Sequence, residues 1–442
     1  MTESPLPRIF VVVALAVAAA VAGACGGGGG GGTPTAPPAV VATALSSVNG
    51  TSLGGCGATV VPDTPVVLVR SASGAPLAGV TVNFAVTAGG GTISSTSRTS
   101  NNFGQAGVSW TLGTSGAQTL AATVAGIPAV TYSATLTSTG PYCVELVYTQ
   151  APDPILRVAA ENAAARWSQI ISGAVPTQPL AEASFVCAGL TIPAITRTVK
   201  SLVIYVELAP IPSSTPGLVT LGQAGPCWIR DIGGLTVIGA MKLNSDYLIN
   251  NLGANQREDV VLHEMGHVLG FGTLWEPEPG VTGMATLLVN PAPTGNPTFV
   301  GSQAAAKYVL AGATAGTTAI PVENCGGGGT VNGHWREQSG GSGATIGFGI
   351  ELMTGFISAP AGQRNPMSAV TIAAMADLGY TVSYATADSF TAAGQTCPVP
   401  LLFAPGQQPS GLVHAGGAWV SEGLVRPVGV VGRDGRVRPT RR

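Results

Sequence analysis

The stretch HEMGHVLGFGTLW occupies residues 263–275, and its reading decides what the second half of the chain is. His263 and His267 stand four residues apart. On a helix both imidazoles then leave the same face about one turn apart. Two nitrogens so placed can share one Zn2+ at about 2.0–2.1 Å. Glu264 follows the first histidine and would point beside such an ion, where it can take a proton from water. Gly270 stands where the helix should end, because glycine tolerates the left-handed conformation after a last turn. A catalytic zinc wants three protein ligands. A continuous motif would place the third at position 273, and that residue is Thr273.

The surroundings support a buried helix. Asn255 and Glu258 have the spacing of a capping box. Val260, Val261, Leu262, Met265, Val268 and Leu269 make the segment apolar on most sides. A buried helix that carries two histidines and a glutamate must give them partners. The chain has four histidines, and His414 lies in a Pro-, Gly- and Arg-rich end. That leaves His334, in VNGHWREQ, 64 residues after Gly270. His334 is therefore the expected third ligand, displaced by an insertion. The alternative is an acid, and Glu276 and Glu278 are the nearest.

Bulk properties exclude some functions. The chain has 442 residues, a net charge of -2 and 9% charged residues. It lacks the basic footprint of a nucleic-acid binder. At 45% hydrophobic residues it can fill real cores, and its length suits two or three domains.

Residues 1–25 read as an export signal. Arg8 precedes an apolar run over 9–21, and Ala22-Gly23-Ala24 leads into Cys25. This ending resembles a bacterial lipobox, which implies lipidation of Cys25 and a membrane anchor; ordinary signal cleavage and secretion is the alternative. Residues 26–39, with seven consecutive glycines and then prolines, form a tether. Beyond Cys25 six cysteines remain, an even number suited to three disulfides in an oxidising compartment.

Residues 40–139 have an all-β pattern. Val80, Val82, Phe84 and Val86 alternate with polar or small residues, and turn signals flank them. Further strands are expected at 106–111, 118–124 and 130–136. The stretches GAPLAGVTVNFAVTAGGGTI (74–93) and GQAGVSWTLGTSGAQTLAATV (104–124) resemble bacterial immunoglobulin-like modules of the invasin/intimin type. The resemblance implies a β-sandwich that serves as a spacer or an adhesive module.

From 140 to 396 helical and strand patterns mix, as in an α+β domain. A helix is expected over 156–171, strands over 201–208 and 235–243, and a helix capped by Ser368 that stops at Gly379. Beyond 397 a poorly ordered tail is expected.

The site region resembles the leishmanolysin-like zinc metallopeptidases of the metzincin clan. The residues that carry the resemblance run from His263 to Gly272, then His334-Trp335-Arg336-Glu337, ELMTGF (351–356) and SAVTIAAMADLGY (368–380). It implies one Zn2+ on His263, His267 and His334, Glu264 as general base, and Met353 as the methionine of a turn beneath the metal. It also implies hydrolysis of protein or peptide substrates outside the cytoplasm. In metzincins an edge strand pairs with the extended substrate, and Ile238-Gly239-Ala240-Met241, just before the motif helix, is expected in that role. The rival reading is a cell-surface adhesin that retains an idle peptidase fold.

Overall fold

The computed structural model describes residues 41–48, 50–61, 64–212, 218–324, 329–337, 347–355, 363–392 and 419–440. The chain from Ala42 to Arg442 forms one compact unit. It is mainly β, with few helices. The export signal, Cys25 and the tether lie outside the described residues. Among the described residues no helix is long and apolar enough to cross a membrane.

The first hundred described residues build two main sheets. One has the strands Ala42–Ser47, Val66–Ser71 and Gln105–Gly107. The other has, in order, Ser52–Cys56, Ile127–Ser138, Gln118–Val124, Thr81–Ala88 and Ser97–Thr99. Leu53, Val67, Val69, Val82, Phe84 and Leu120, drawn from both sheets, share one core. The alternation around Val82 and Phe84 appears as alternate buried and exposed positions. Each inward side chain of this kind contributes about 1.5–3 kcal/mol of burial. Tyr132 is buried too, and its hydroxyl donates to Val66 O at 2.7 Å, tying one sheet to the other.

The rest of the described chain is organised by a seven-stranded sheet. Its order is Val144–Tyr148, Leu202–Ala209, Thr236–Asn244, Leu218–Arg230, Gly429–Val431 and Val437–Pro439, with Trp419–Leu424 pairing the first half of Leu218–Arg230. Along Leu202–Ala209, Leu202, Ile204 and Val206 enter the core under the helices, while Val203 and Tyr205 enter a second core on the other face. Burial on both faces is why this strand reads as a nearly unbroken apolar run. The helices Pro154–Ile170 and Ala254–Leu269 lie on the first face, and Trp167 Nε1 donates to Leu262 O at 2.9 Å between them. Asp153 caps the first helix through the Ile155 and Leu156 amides.

Two disulfides are present among the described residues, Cys56–Cys143 and Cys187–Cys227. The first joins the two sheet systems. Cys325 and Cys397 lie outside the described residues.

Three expectations are corrected. The motif helix starts at Ala254, with Gly253 as its cap and Gln256 Oε1 accepting the Gly253 amide at 3.2 Å; Asn255 is already in the helix. The tail expected from residue 397 is not featureless: residues 419–440 carry three strands, and Val430 and Val431 are buried. Short β segments among Gly and Pro leave too few residues for a period to show. Residues 397–418 lie outside the described residues.

The third correction concerns substrate pairing. Ile238, Gly239, Ala240 and Met241 lie in the interior of the sheet. Val203, Ile204, Tyr205 and Val206 pair with them on one side. On the other side Leu218–Arg230 pairs with Gly239, Ala240 and Met241 through Pro226, Gly225 and Ala224. A strand with neighbours on both sides has no free ladder for a peptide. The neighbour on that second side is Leu218–Arg230, whose Gly222, Gly225 and Pro226 hide it from a propensity reading.

Candidate metal centre

His263 and His267 come from the last two turns of the motif helix. Gly270 ends it at φ 118°, and its amide reaches back to Gly266 O and His267 O. The chain then leaves through Phe271 and Trp275 and returns 64 residues after Gly270 as His334. Trp335, the next residue, is the fastening. It is fully buried against Phe271, Trp275, Phe299 and Phe348, with ring centroids 5.0–5.5 Å away. Its indole N–H donates to Thr371 Oγ1 at 2.8 Å, and its amide donates to Met353 O at 2.9 Å.

The three rings converge. The Nε2 atoms are 2.9 Å apart for His267–His263 and His267–His334, and 3.2 Å for His263–His334. Each Nδ1 meets a main-chain carbonyl: Leu352 O at 2.6 Å from His263, Phe271 O at 2.8 Å from His267, and Thr330 O at 2.8 Å from His334. A carbonyl oxygen only accepts, so each Nδ1 carries the proton. Each Nε2 is then the nitrogen that can offer a lone pair to a cation. Three lone pairs aimed at one buried point are tolerable around a cation and repulsive otherwise. The carbonyls also fix ring tilt and raise ligand basicity, the outer-shell arrangement of histidine metal sites. The donor set therefore fits a metal ion, and these three residues form a group able to hold one. A common point about 2 Å from all three nitrogens suits zinc.

Met353 packs below the helix. A Cβ added at Gly266 would sit 2.9 Å from its sulfur and its methyl carbon, so glycine lets the methionine approach between the two helical histidines. Its turn is pinned by Glu351, which is fully buried. That carboxylate accepts from the Met353 amide at 2.6 Å, the Ser368 amide at 3.0 Å, Ser368 Oγ at 2.7 Å and Thr371 Oγ1 at 2.5 Å. Burial pushes its pKa up, while these donors pull it down. Ser368 caps the helix Ala369–Asp377, as its sequence position suggested. On the motif helix Asp259 accepts from the Asn365 amide at 2.8 Å and pairs with Arg364 at 3.1 Å. Burial raises its pKa to about 6 against those contacts.

Glu264 is 2% exposed and faces Leu218–Arg230. A Cβ at Gly222 would lie 2.1 Å from Glu264 Oε1. Gly222 is thus a part of the site that sequence reasoning missed; its only signal is a glycine inside a strand. Gly222→Ala is expected to displace the Glu264 carboxylate and leave the histidines in place. A shift of about 1 Å in a catalytic group can cost on the order of 10²-fold in rate. The check is metal content beside peptidase rate; unchanged activity would show that Glu264 has room to spare.

The alternative ligands do not enter the cluster. Glu276 and Glu278 turn to Arg426, at 3.3 and 3.9 Å. Thr273 is buried, and its hydroxyl donates to His267 O at 2.7 Å, which makes it a helix-end cap.

Two buried histidines on H-E-x-x-H, joined by His334 and with Glu264 adjacent, are the kind of site that metallopeptidases use. The leishmanolysin family model (Peptidase_M8) matches residues 180–399, just under half of the chain, with all three histidines inside, so this region is similar to leishmanolysin. Solved structures similar to the chain include the D0-D1 domain of intimin, at 20% identity and a TM-score of 0.18, covering 22% of this chain and 49% of that one. The D00-D0 domain of intimin has 21% identity and a TM-score of 0.17, covering 22% and 50%. Domains 4 and 5 of the S-layer protein SbsC have 16% identity and a TM-score of 0.18, covering 22% and 46%. The chain spans about half the length of each, and scores this low carry no argument about the fold. No curated protein matches the chain significantly.

Proposed function

We propose that this protein is a zinc-dependent metalloendopeptidase of the metzincin kind that cuts proteins outside the cytoplasm. The observation that carries the reading is a geometry: three histidines, each with Nδ1 at 2.6–2.8 Å from a carbonyl oxygen, bring their Nε2 atoms within 2.9–3.2 Å of one another. His263, His267 and His334 would hold the ion. A zinc ion held there supplies Lewis acidity, lowering the pKa of water toward about 7 and polarising a peptide carbonyl. Glu264 accepts the proton of the attacking water and hands it to the leaving amine. Its burial beside Gly222 keeps the carboxylate in place and limits bulk water around it. Met353 packs under the ligands and moves no proton. The outer side of Leu218–Arg230, next to Glu264, is where an extended substrate would pair, in place of Trp419–Leu424, which pairs there in this structure.

The domain plan proposed with it is an immunoglobulin-like β-sandwich over 40–139, as spacer or adhesive module, and a catalytic α+β domain over 140–396. The two sheets that share the Val82 core support the first, and the motif helix on the seven-stranded sheet supports the second. An adhesin with an idle site has no need of three oriented ligands and an adjacent base.

The test is cleavage of an unfolded protein such as casein by the purified chain. Cleavage is expected to stop with a zinc chelator and to return with added zinc. A fully metallated, folded chain that leaves casein intact would sink the peptidase reading. Two disulfides support an oxidising compartment. The mature protein is proposed to begin at a lipidated Cys25, followed by the tether. Mass spectrometry of the mature N-terminus should find the lipid mass on that residue; an unmodified terminus there refutes the anchor.

A further inference from the structure

The edge that a substrate would use is already taken by the chain itself. Leu218–Arg230 has two sides. Thr236–Asn244 pairs antiparallel with one. On the other, Trp419–Leu424 pairs in parallel, with Leu218 opposite Trp419, Val219 opposite Val420, Thr220 opposite Ser421, Gly222 opposite Glu422, Gln223 opposite Gly423 and Ala224 opposite Leu424. The ladder therefore passes Gly222, the residue against which Glu264 rests.

The other end of the segment reaches the opposite wall of the centre. A Cβ at Gly333 would lie 2.2 Å from Leu424 Cδ1, and Gly333 immediately precedes His334. The segment thus touches the neighbour of the base and the neighbour of the third histidine. Residues 425–431 hold it there. The Val425 amide donates to Ala224 O at 3.0 Å and the Val428 amide to Cys227 O at 2.9 Å. Arg426 donates to Thr273 O at 2.9 Å and pairs with Glu276. Gly429–Val431 then joins the same strand beside Trp228, Ile229 and Arg230, with Val430 and Val431 buried. That last stretch is an anchor, and it gives the segment before it a high effective concentration at the edge.

We propose that residues 419–424 are a resident peptide ligand of the active-site edge, bound as an added strand and displaced by protein substrate. This rests on the peptidase reading of the site. The ligand class is an extended peptide backbone, recognised through main-chain hydrogen bonds. A substrate meets a free edge only in the fraction of molecules whose segment has left, and its apparent affinity falls by that fraction. The chain restrains its own peptidase.

The experiment compares three zinc-loaded full-length chains: the unmodified protein, a version with residues 419–424 replaced by Gly and Ser, and Val425→Pro, which removes the amide donated to Ala224. All keep the anchor at 429–431. The probe is a fluorescent peptide with the sequence of residues 418–426, followed by anisotropy, beside kcat and KM for casein. The Gly/Ser chain is expected to bind the probe and to show kcat/KM raised about tenfold, mostly through KM, as for an edge free about a tenth of the time in the unmodified protein. Val425→Pro should move the same way, and the unmodified protein should bind the probe least. If the folded variants bind the probe no better than the unmodified protein and cleave no faster, residues 419–424 are a structural strand and the inference is wrong. If the Gly/Ser chain misfolds, Val425→Pro decides by the same readings. Binding of the probe by the variants alone, with casein uncut by every version, would uphold the edge ligand and reject the peptidase.

Discussion

His334→Ala is expected to lose both metal and activity. Two ligands on one helix turn remain, and two hold a catalytic zinc poorly. The Lewis-acid contribution is several kcal/mol, and each ~1.4 kcal/mol is tenfold in rate, so turnover should fall on the order of 10³-fold. The fold should survive, because the segment is fastened by Trp335 through its aromatic neighbours and its bond to Thr371. The measurement is metal content by atomic absorption together with casein cleavage and a melting curve. Stoichiometric zinc with near-normal turnover in His334→Ala would overturn the ligand assignment. Thr273→Ala is the control: it removes a cap on His267 O and leaves all three ligands, so it should keep its zinc.

Glu264→Gln should give the opposite pattern, with full zinc and turnover down by roughly 10²-fold or more, the size of a general-base contribution. The amide keeps the volume of the carboxylate against Gly222, so neither the helix nor the strand need move. What is lost is the capacity to take a proton. The split between metal content and rate separates a base from a ligand. Loss of zinc along with activity would mean that Glu264 helps to hold the ion; retained activity would mean that the proton goes elsewhere.

How much of this could be read from the sequence depended on whether the signal was local. The motif helix was readable because spacing four and a terminal glycine are consequences of helix geometry. The helix Pro154–Ile170 and the strands Leu202–Ala209 and Thr236–Asn244 were readable too, since each buries a regular set of apolar side chains. Leu218–Arg230 was not. Its Gly222, Gly225 and Pro226 are there for what lies next to them: Glu264 beside the first and Val425 beside the second. A residue chosen for a close approach from elsewhere carries no period along its own strand.

The sequence by itself determined the chemistry on offer: two histidines and an acid on one helix, and a fourth residue, His334, with no other evident task. Local spacing is enough for that, because a helix places residues i and i+4 on one face whatever surrounds it. Tertiary structure alone decided which nitrogen of each ring faces the centre, since the carbonyls of Leu352, Phe271 and Thr330 that set the tautomers come from three separate segments. It also decided strand order. That order put Ile238–Met241 between two neighbours, and it laid residues 419–424 along the other side of Leu218–Arg230. Which strand pairs with which is a contest between backbones that all carry the same donors and acceptors, and only the packing of the whole unit resolves it.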